Sequence, residues 1–302
     1  MKRALVTGSA GFLGRHFTRR LEADGWDVFG VDLADPREEF DAHRVFRDDV
    51  TRYDLVVHAA YRIGGRARID SDRAALARNL ALDAALFEWA YRTRPYRVLY
   101  LSSAAVYPLH YQNFPLGMRL QESDVDHVPA RLVQPDADYG WAKLTGERLA
   151  LNAQREGLVV SIVRLFSGYG NGQNLVYPFP AIVRRAAEFE VGAFPVWGPP
   201  GQTRDWVHVD DVVGAALAVV ESDEQNPVNV CTGIGTEFGQ LAKLALAAFG
   251  KLGSLSRIEY DRDRPTGVLH RVGDPSLLHS YYAPKISIQE GLHRAARALD
   301  PR

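Results

Sequence analysis

The run Val6-Thr-Gly8-Ser-Ala-Gly11-Phe-Leu-Gly14 constrains this chain more than any other stretch. It follows the apolar "RALV" and precedes residues 12–24, where Phe12, Leu13, Phe17 and Leu21 share one helical face. Three glycines at G-x-x-G-x-x-G spacing between a strand and a helix have a physical use. Gly8 permits a tight turn. Gly11 lets the backbone approach a pyrophosphate at the helix N-terminus, where unpaired N–H groups meet the positive end of the dipole, and Gly14 permits close helix–sheet contact. The bare triplet also fits a plain turn, but its position between strand and helix favours a dinucleotide. A second strand, "DVFGVDL", ends on Asp32. A carboxylate there accepts hydrogen bonds from adenosine ribose hydroxyls and repels a 2′-phosphate, which favours NAD over NADP. Asp32 capping a loop is the plainer alternative, and the nearby Arg37 keeps NADP open.

The first half continues this alternation. "LVVHAA", "RVLYLSS" and "VVSIVRLF" read as further strands, with "AALARNLALDAALFEWAYRT" and "YGWAKLTGERLALNAQREG" as helices between them. Strands that lack in/out alternation and are separated by helices indicate a parallel sheet covered on both faces, hence an α/β, doubly wound Rossmann fold. After Arg164 the composition changes: Gly, Pro, Asn and aromatic residues crowd 167–203, which suits loops carrying a site. "RDWVHVDDVVGAALAVVES" and "PVNVCTG" then restore strand, helix and strand. The expected division is a dinucleotide-binding domain over 1–166 and about 205–232, and a smaller, discontinuous C-terminal α/β substrate domain over 167–204 and 233–302.

Composition excludes several partners. A net charge of -1 gives no electrostatic footprint for nucleic acid. No apolar run approaches the roughly 18 residues of a membrane span, and the apolar stretch near the N-terminus breaks at Thr7-Gly8, too early for a signal peptide. The single cysteine, Cys231, excludes an internal disulfide and fits a reducing cytosol, so a cytoplasmic protein is expected. No metal site is expected.

Tyr139 and Lys143 stand at i and i+4 on one helical face. Free tyrosine titrates near 10 and is a poor base at neutral pH, but an ammonium one turn away and the positive nicotinamide of NAD⁺ favour its phenolate. Such a pair on an exposed helix is usually surface decoration. Serine hydroxyls at the end of the strand "RVLYLSS" change its weight, because ligands bind at the C-terminal edge of a parallel sheet. Ser103 with Tyr139 would hold a substrate hydroxyl between two hydrogen-bonding groups. A strand-ending turn remains the alternative for this pair, above all for Ser102.

Together, "VTGSAGFLG", Asp32, "DDV" at 48–50, "HAAY" at 58–61, "SSAAVY", "YGWAK", "RLFSGYG" and "RDWVHVDD" resemble the extended short-chain dehydrogenase/reductases. Within them the chain is similar to the NAD-dependent epimerase/dehydratase branch, which acts on nucleotide-diphosphate sugars. "NPVNVCTG", "RPTGVLHRVGD" and "PKISIQEGL" extend the likeness to the C-terminal part. The resemblance implies Tyr139 as base, Lys143 as its activator and nicotinamide-ribose ligand, and Ser103 as the hydroxyl that orients the sugar. It assigns Gly8, Gly11, Phe12, Leu13, Gly14 and Asp32 to the cofactor. Asp49 and Val50 match the pair beside adenine, Ala59 and Ala60 the small residues near pyrophosphate and ribose, and Asn79 an asparagine on the following helix.

On the sugar side, Arg204 and Arg264 match arginines that hold the diphosphate, with surface pairing to Asp205 or Asp263 as the plainer alternative. His208 is expected to be structural, and Asp210-Asp211 to cap the next helix. Relatives often carry Asn where this chain has Ser167, so the diphosphate contact at that position is a departure. The loop Arg62-Ile-Gly-Gly-Arg66 is expected to reach the sugar, and a homodimer is implied through helices near 75–93 and 139–157.

The resemblance also narrows the reaction. Dehydratases of this branch keep Asp-Glu at the positions of Ala104 and Ala105; decarboxylating members keep Glu, and 3,5-epimerases tend to place Cys, at the position of Ala105. A methyl group exchanges no proton. Oxidation, rotation and reduction at C4 require no such group, so a C4 epimerase is expected. The alternatives are a 4-keto nucleotide-sugar reductase and a non-catalytic dinucleotide sensor.

Overall fold

In the computed structural model, residues 1–34, 41–113, 117–125 and 134–299 are described; Arg37 lies outside them. The elements run β1 (Arg3–Thr7), α1 (Phe12–Ala23), β2 (Asp27–Val31), α2 (Ala42–Asp48), β3 (Leu55–His58), α3 (Arg66–Ser71), α4 (Ala75–Thr93), β4 (Val98–Ser103), α5 (Leu109–Gln112) and β5 (Arg119–Leu120). They continue with α6 (Ala137–Arg155), β6 (Val160–Leu165), β7 (Ser167–Tyr169), α7 (Pro178–Glu188), β8 (Gly192–Trp197), β9 (Thr203–His208), α8 (Val209–Ser222) and β10 (Val228–Val230). The last are β11 (Gly235–Glu237), α9 (Phe238–Ala248), β12 (Leu255–Asp261), β13 (His270–Gly273) and α10 (Ile288–Leu299).

The largest sheet has the order β10-β6-β4-β3-β1-β2, with every pairing parallel. Its strands read as continuous apolar runs because both faces are covered. Ala4 and Val6 of β1, with Leu99 and Leu101 of β4, join one core that includes Phe17 and Leu21 of α1 and Val212, Val213 and Ala216 of α8. Leu5, Val98 and Tyr100 point the other way, into a second core with Phe46 of α2, Leu86 and Trp89 of α4, and Ala150 of α6. Successive side chains alternate between the two cores, so a strand buried on both sides shows no polar face. The strand order turns back between β1 and β3, and this topological switch point leaves a crevice at their C-terminal ends.

A smaller sheet, β11-β9-β13-β5 with β7 attached to β9, carries the second half of the molecule, and β8 pairs with β12 beside it. The expected boundary near 205 falls inside β9. That strand lies wholly in the smaller sheet, and the chain returns to the larger one through α8 and β10. A third core of Phe179, Ile182, Phe194, Trp206, Leu241 and Leu246 joins α7, β8, β9 and α9. Among the described residues, no helix is long and apolar enough to cross a membrane.

Two structural expectations resolve here. His208 is the N-cap of α8, its Nδ1 accepting from the Asp210 N–H at 3.2 Å. The acidic pair does not cap that helix: Asp211 instead accepts from Tyr282 Oη and from the Lys285 and Ile286 N–H groups. It staples the C-terminal segment to α8, because its carboxylate is buried one turn into the helix.

Candidate active site

The glycine loop closes on the switch point. Gly8 has φ +69°, and a β-carbon on it would fall 2.6 Å from Ala60 N and 2.7 Å from Ala59 C. A β-carbon on Gly14 would lie 1.9 Å from Gly8 O, so only glycine lets α1 start against the turn. Gly11 is the N-cap and provides no side-chain cap, leaving the first N–H groups of α1, from Phe12 onward, open to an anion. Asp32 accepts from the Ala10 N–H at 3.1 Å and the Ala34 N–H at 2.8 Å, which places its carboxylate beside the same loop. This cradle fits a dinucleotide pyrophosphate, with Asp32 at the end of β2 for the ribose.

The other residues expected near the cofactor have defined local partners. Asp49 accepts from the Thr51 N–H and from Tyr53 Oη, its carbonyl accepts from Trp89 Nε1, and Val50 is exposed. Asn79 is buried and grips the backbone of Arg62 twice, at 2.8 and 3.0 Å, so both ends of its amide serve the loop after β3.

Ser103, Tyr139 and Lys143 come together at the C-terminal edge of β4. The Ser103 hydroxyl accepts from the Ala105 N–H at 3.1 Å and also meets the Tyr139 phenol, whose charged form it favours. Burial pushes Tyr139 above its ordinary value, while Ser103 and Arg271 pull it back. Burial also lowers Lys143, to about 8, against the opposing pull of Asp83 and Glu147. The Lys143 ammonium lies 3.3 Å from the ring centroid of Tyr61 and 5.0 Å from that of Tyr100. The Tyr61 ring also meets Tyr139 edge-on, with centroids 6.0 Å apart. Tyr61, noted in sequence only as part of "HAAY", therefore touches both ends of the Tyr–Lys pair.

Ser102 belongs to the core. Its hydroxyl donates at 2.5 Å to Glu147, which forms a buried ion pair with Arg164 at 2.8 Å. The alanines after Ser103 are 1% and 2% exposed, and the Asp136 N–H donates to the Ala105 carbonyl at 2.8 Å. A β-carbon on Gly140 would meet that carbonyl at 2.4 Å, so the first turn of α6 is packed directly onto Ala105.

Beyond Tyr139 lies a cluster that the sequence did not reveal. Asp136 accepts from Arg66 Nη1 and Arg271 Nη2, each at 2.8 Å, tying the start of α3, the start of α6 and β13 together. Burial works to raise the Asp136 carboxyl, yet Arg271 and Arg66 hold it below the usual carboxylate range. Arg204 stands in the same cluster. Burial lowers its guanidinium to about 9, and Arg271 and Arg66 push it the same way. A β-carbon on Gly267 would sit 3.3 Å from Arg204 Nη2 and 3.5 Å from Arg66 Nη1, so the two guanidiniums converge there. Three arginines against Asp136 and the Asp70 that also pairs with Arg66 make a net positive anion seat one step from Tyr139. A cleft of about 450 Å³ opens beside it, with Arg66, Asp136, Trp141 and Gly267 in its wall.

Of the expected diphosphate residues, Arg204 lies in this cluster and Arg264 does not. Arg264 pairs with Asp261 at 3.1 Å on the surface, its guanidinium carbon 5.1 Å from the Trp197 ring centroid. Asp205 is no partner of Arg204: it is buried and accepts from Thr232, Gly233 and Gly273. Ser167 is half-buried at the start of β7. Arg271 and Asp136 escaped notice because each looks like one more surface charge in its own stretch, and they meet only where the N-cap of α6 comes against β13.

A glycine-rich cradle at the switch point of a parallel sheet, with a Ser–Tyr–Lys set at the next strand edge, defines a dinucleotide-dependent redox enzyme. A profile of the NAD dependent epimerase/dehydratase family matches residues 4–231, and the chain belongs to that family, with NAD as its cofactor. A GDP-mannose 3,5-epimerase of Arabidopsis thaliana is 27% identical over 309 residues, covering 95% of this chain and 79% of its own. A dTDP-4-dehydro-6-deoxy-D-allose reductase of Streptomyces sp is 28% identical over 322 residues, covering 97% and 94%. Among solved structures, the UDP-glucose 4-epimerase of Thermus thermophilus in complex with NAD has the same fold, with a TM-score of 0.77 at 23% identity over 97% of each chain.

Proposed function

We propose that this enzyme is a nucleotide-diphosphate-sugar 4-epimerase. The observation that carries the reading is the Ser103–Tyr139–Lys143 set followed by two buried alanines, whose methyl groups exchange no proton where the resemblance places a second acid or base. Ser103 orients the C4 hydroxyl, and Tyr139 accepts its proton under the charge of Lys143. NAD held by the glycine cradle and Asp32 would supply a reversible acceptor for the C4 hydride. After the 4-keto sugar turns over in the site, Tyr139 returns the proton to the oxygen, so neither proton nor electron is consumed overall.

The arginine cluster supports a diphosphate ligand. Arg66, Arg204 and Arg271 against Asp136 and Asp70 leave a net positive charge beside Tyr139, the sign that a diphosphate ester needs. In this reading Arg271 takes the part that the resemblance gave to Arg264. Asp32 selects NAD through the ribose hydroxyls. The implied homodimer also belongs here. The core takes Leu86, Phe87 and Trp89 from α4, leaving the half-buried Leu76 and Leu80 as the apolar contribution of that helix to a partner copy; sedimentation of the purified protein tests it.

The test is a panel of nucleotide sugars incubated with the purified protein and followed by NMR. A 4-epimer formed without added cofactor is expected. The reductase among the relatives, which spans nearly the whole chain, makes 4-keto reduction the second reading; product formed only with added NADPH would establish it.

A further inference from the structure

Asp83 is a carboxylate with no exposure to solvent, on the inner face of α4, and the proton transfer described above does not use it. It accepts from Tyr100 Oη at 2.7 Å, from Tyr61 Oη at 3.1 Å and from His58 Nε2 at 3.2 Å. The His58 tautomer follows from its neighbours. The Asp83 carboxylate only accepts, so the ring proton sits on Nε2, facing it, and the bare Nδ1 accepts from the Thr7 hydroxyl 2.9 Å away. Burial keeps this histidine uncharged. All three donors are uncharged, so none of them is a counter-ion for the Asp83 carboxylate. Among the described residues, the cation seated on this assembly is Lys143, over the ring faces of the two tyrosines that donate to Asp83. Gly146 permits the arrangement. A β-carbon there would fall 1.7 Å from Tyr100 Oη and 2.6 Å from Asp83 Oδ2.

We propose that Asp83 is a positioning residue for catalysis: through Tyr61 and Tyr100 it fixes the Lys143 ammonium beside Tyr139 and sets the pH window in which the pair works. This rests on the reading of Tyr139 and Lys143 as the proton-transfer pair. The groups that face Lys143 are Asp83 from α4, His58 from β3, Tyr61 from the loop after it, Tyr100 from β4, and Tyr139 and Glu147 from its own helix, the last held by Arg164 of β6. The signs are definite. Asp83 supports the charged lysine and opposes the charged tyrosine. Tyr139 is faced besides by Ser103 of β4, Tyr177 at the head of α7 and Arg271 of β13, which stay in place; loss of Asp83 therefore lowers the midpoints of Lys143 and Tyr139 alike, and the two limbs of the pH profile that the pair sets both move to lower pH.

The test uses full-length protein labelled with ¹³C and ¹⁵N at its five lysines, with Lys143→Arg to assign the Lys143 signal. In the wild type that signal is expected to titrate near pH 8. In Asp83→Asn its midpoint falls by roughly one unit or more, and both limbs of the pH profile of turnover move down with it. Asp83→Thr, equally neutral and smaller, carries the same measurement if the asparagine variant does not fold. An unmoved lysine midpoint, or limbs that stay in place while only the height of the profile falls, would overturn the proposal and leave Asp83 a packing residue. If no nucleotide sugar is turned over, the functional reading fails, while the lysine titration still decides the role of Asp83.

Discussion

Ser102 and Ser103 are neighbours on one strand with opposite tasks, because successive side chains of β4 point to opposite faces. Ser103 faces Tyr139 across the site, whereas Ser102 is buried and donates to Glu147. Replacing each by alanine separates the two roles. Ser102→Ala leaves a lone pair of a buried carboxylate without its donor and lowers stability by roughly 1–3 kcal/mol, read as a shifted urea midpoint with turnover per folded molecule kept. Ser103→Ala leaves the midpoint near its wild-type value and lowers kcat. Tyr139→Phe removes the only base of the reading, and kcat falls by about 10²–10⁴-fold with NAD affinity retained, as fluorescence titration of the purified variant would show. The set proposed for catalysis was legible as a candidate in the sequence, because Tyr139 and Lys143 declare themselves by helical spacing and Ser103 by its place at a strand end. Asp83 and Tyr61 were not legible, since neither a polar residue inside an apolar helix nor a loop tyrosine gives any sign of which buried partners it meets.

At the scale of elements, the fold was legible where local pattern and burial agree. The glycine loop, the continuous apolar strands and the helices between them follow from both faces of the sheet being covered. The helix at 139–157 was visible too, but its start was not. It begins at Ala137, with Asp136 as N-cap, and its first turn is fixed by contacts to Ala105 that no local signal announces. Packing of α6 on β4 rests on Gly146 and on the buried Glu147–Arg164 pair. Gly146→Ala places a methyl inside the Tyr100 hydroxyl, and the enforced shift costs roughly 1–3 kcal/mol, visible as a lower melting temperature. Glu147→Ala strands the Arg164 guanidinium in the core and costs about 3–5 kcal/mol, more than the glycine change.

Across the whole molecule, the site lies where the two sheets meet. The larger sheet and its helices supply the cradle, Ser103, Tyr139 and Lys143; the smaller sheet supplies Arg204 and Arg271, and Asp136 ties the two halves through Arg66 and Arg271. Arg264 shows why such a site resists reading from sequence. Its motif matches, yet Asp261 holds it on the surface, while Arg271 enters the cluster through the register that pairs β13 with β9. Asp136 titrates below its ordinary value in the folded state, so its contribution to stability is present above the unfolded carboxylate value near 4. That contribution is lost as pH falls through the folded value. Asp136→Asn should therefore destabilise the protein at pH 7 and change it little at the lowest pH at which the wild type still folds, as denaturant titrations at the two pH values would reveal.

The central claim is that hydride leaves and returns to one carbon. The most direct measurement uses a nucleotide sugar deuterated at C4, turned over in ordinary water with no added cofactor, with the product examined by NMR. The account predicts a product inverted at C4 that still carries deuterium there. Inversion at C3 or C5 with solvent protium incorporated at the inverted carbon, or loss of the C4 label during turnover, would contradict it.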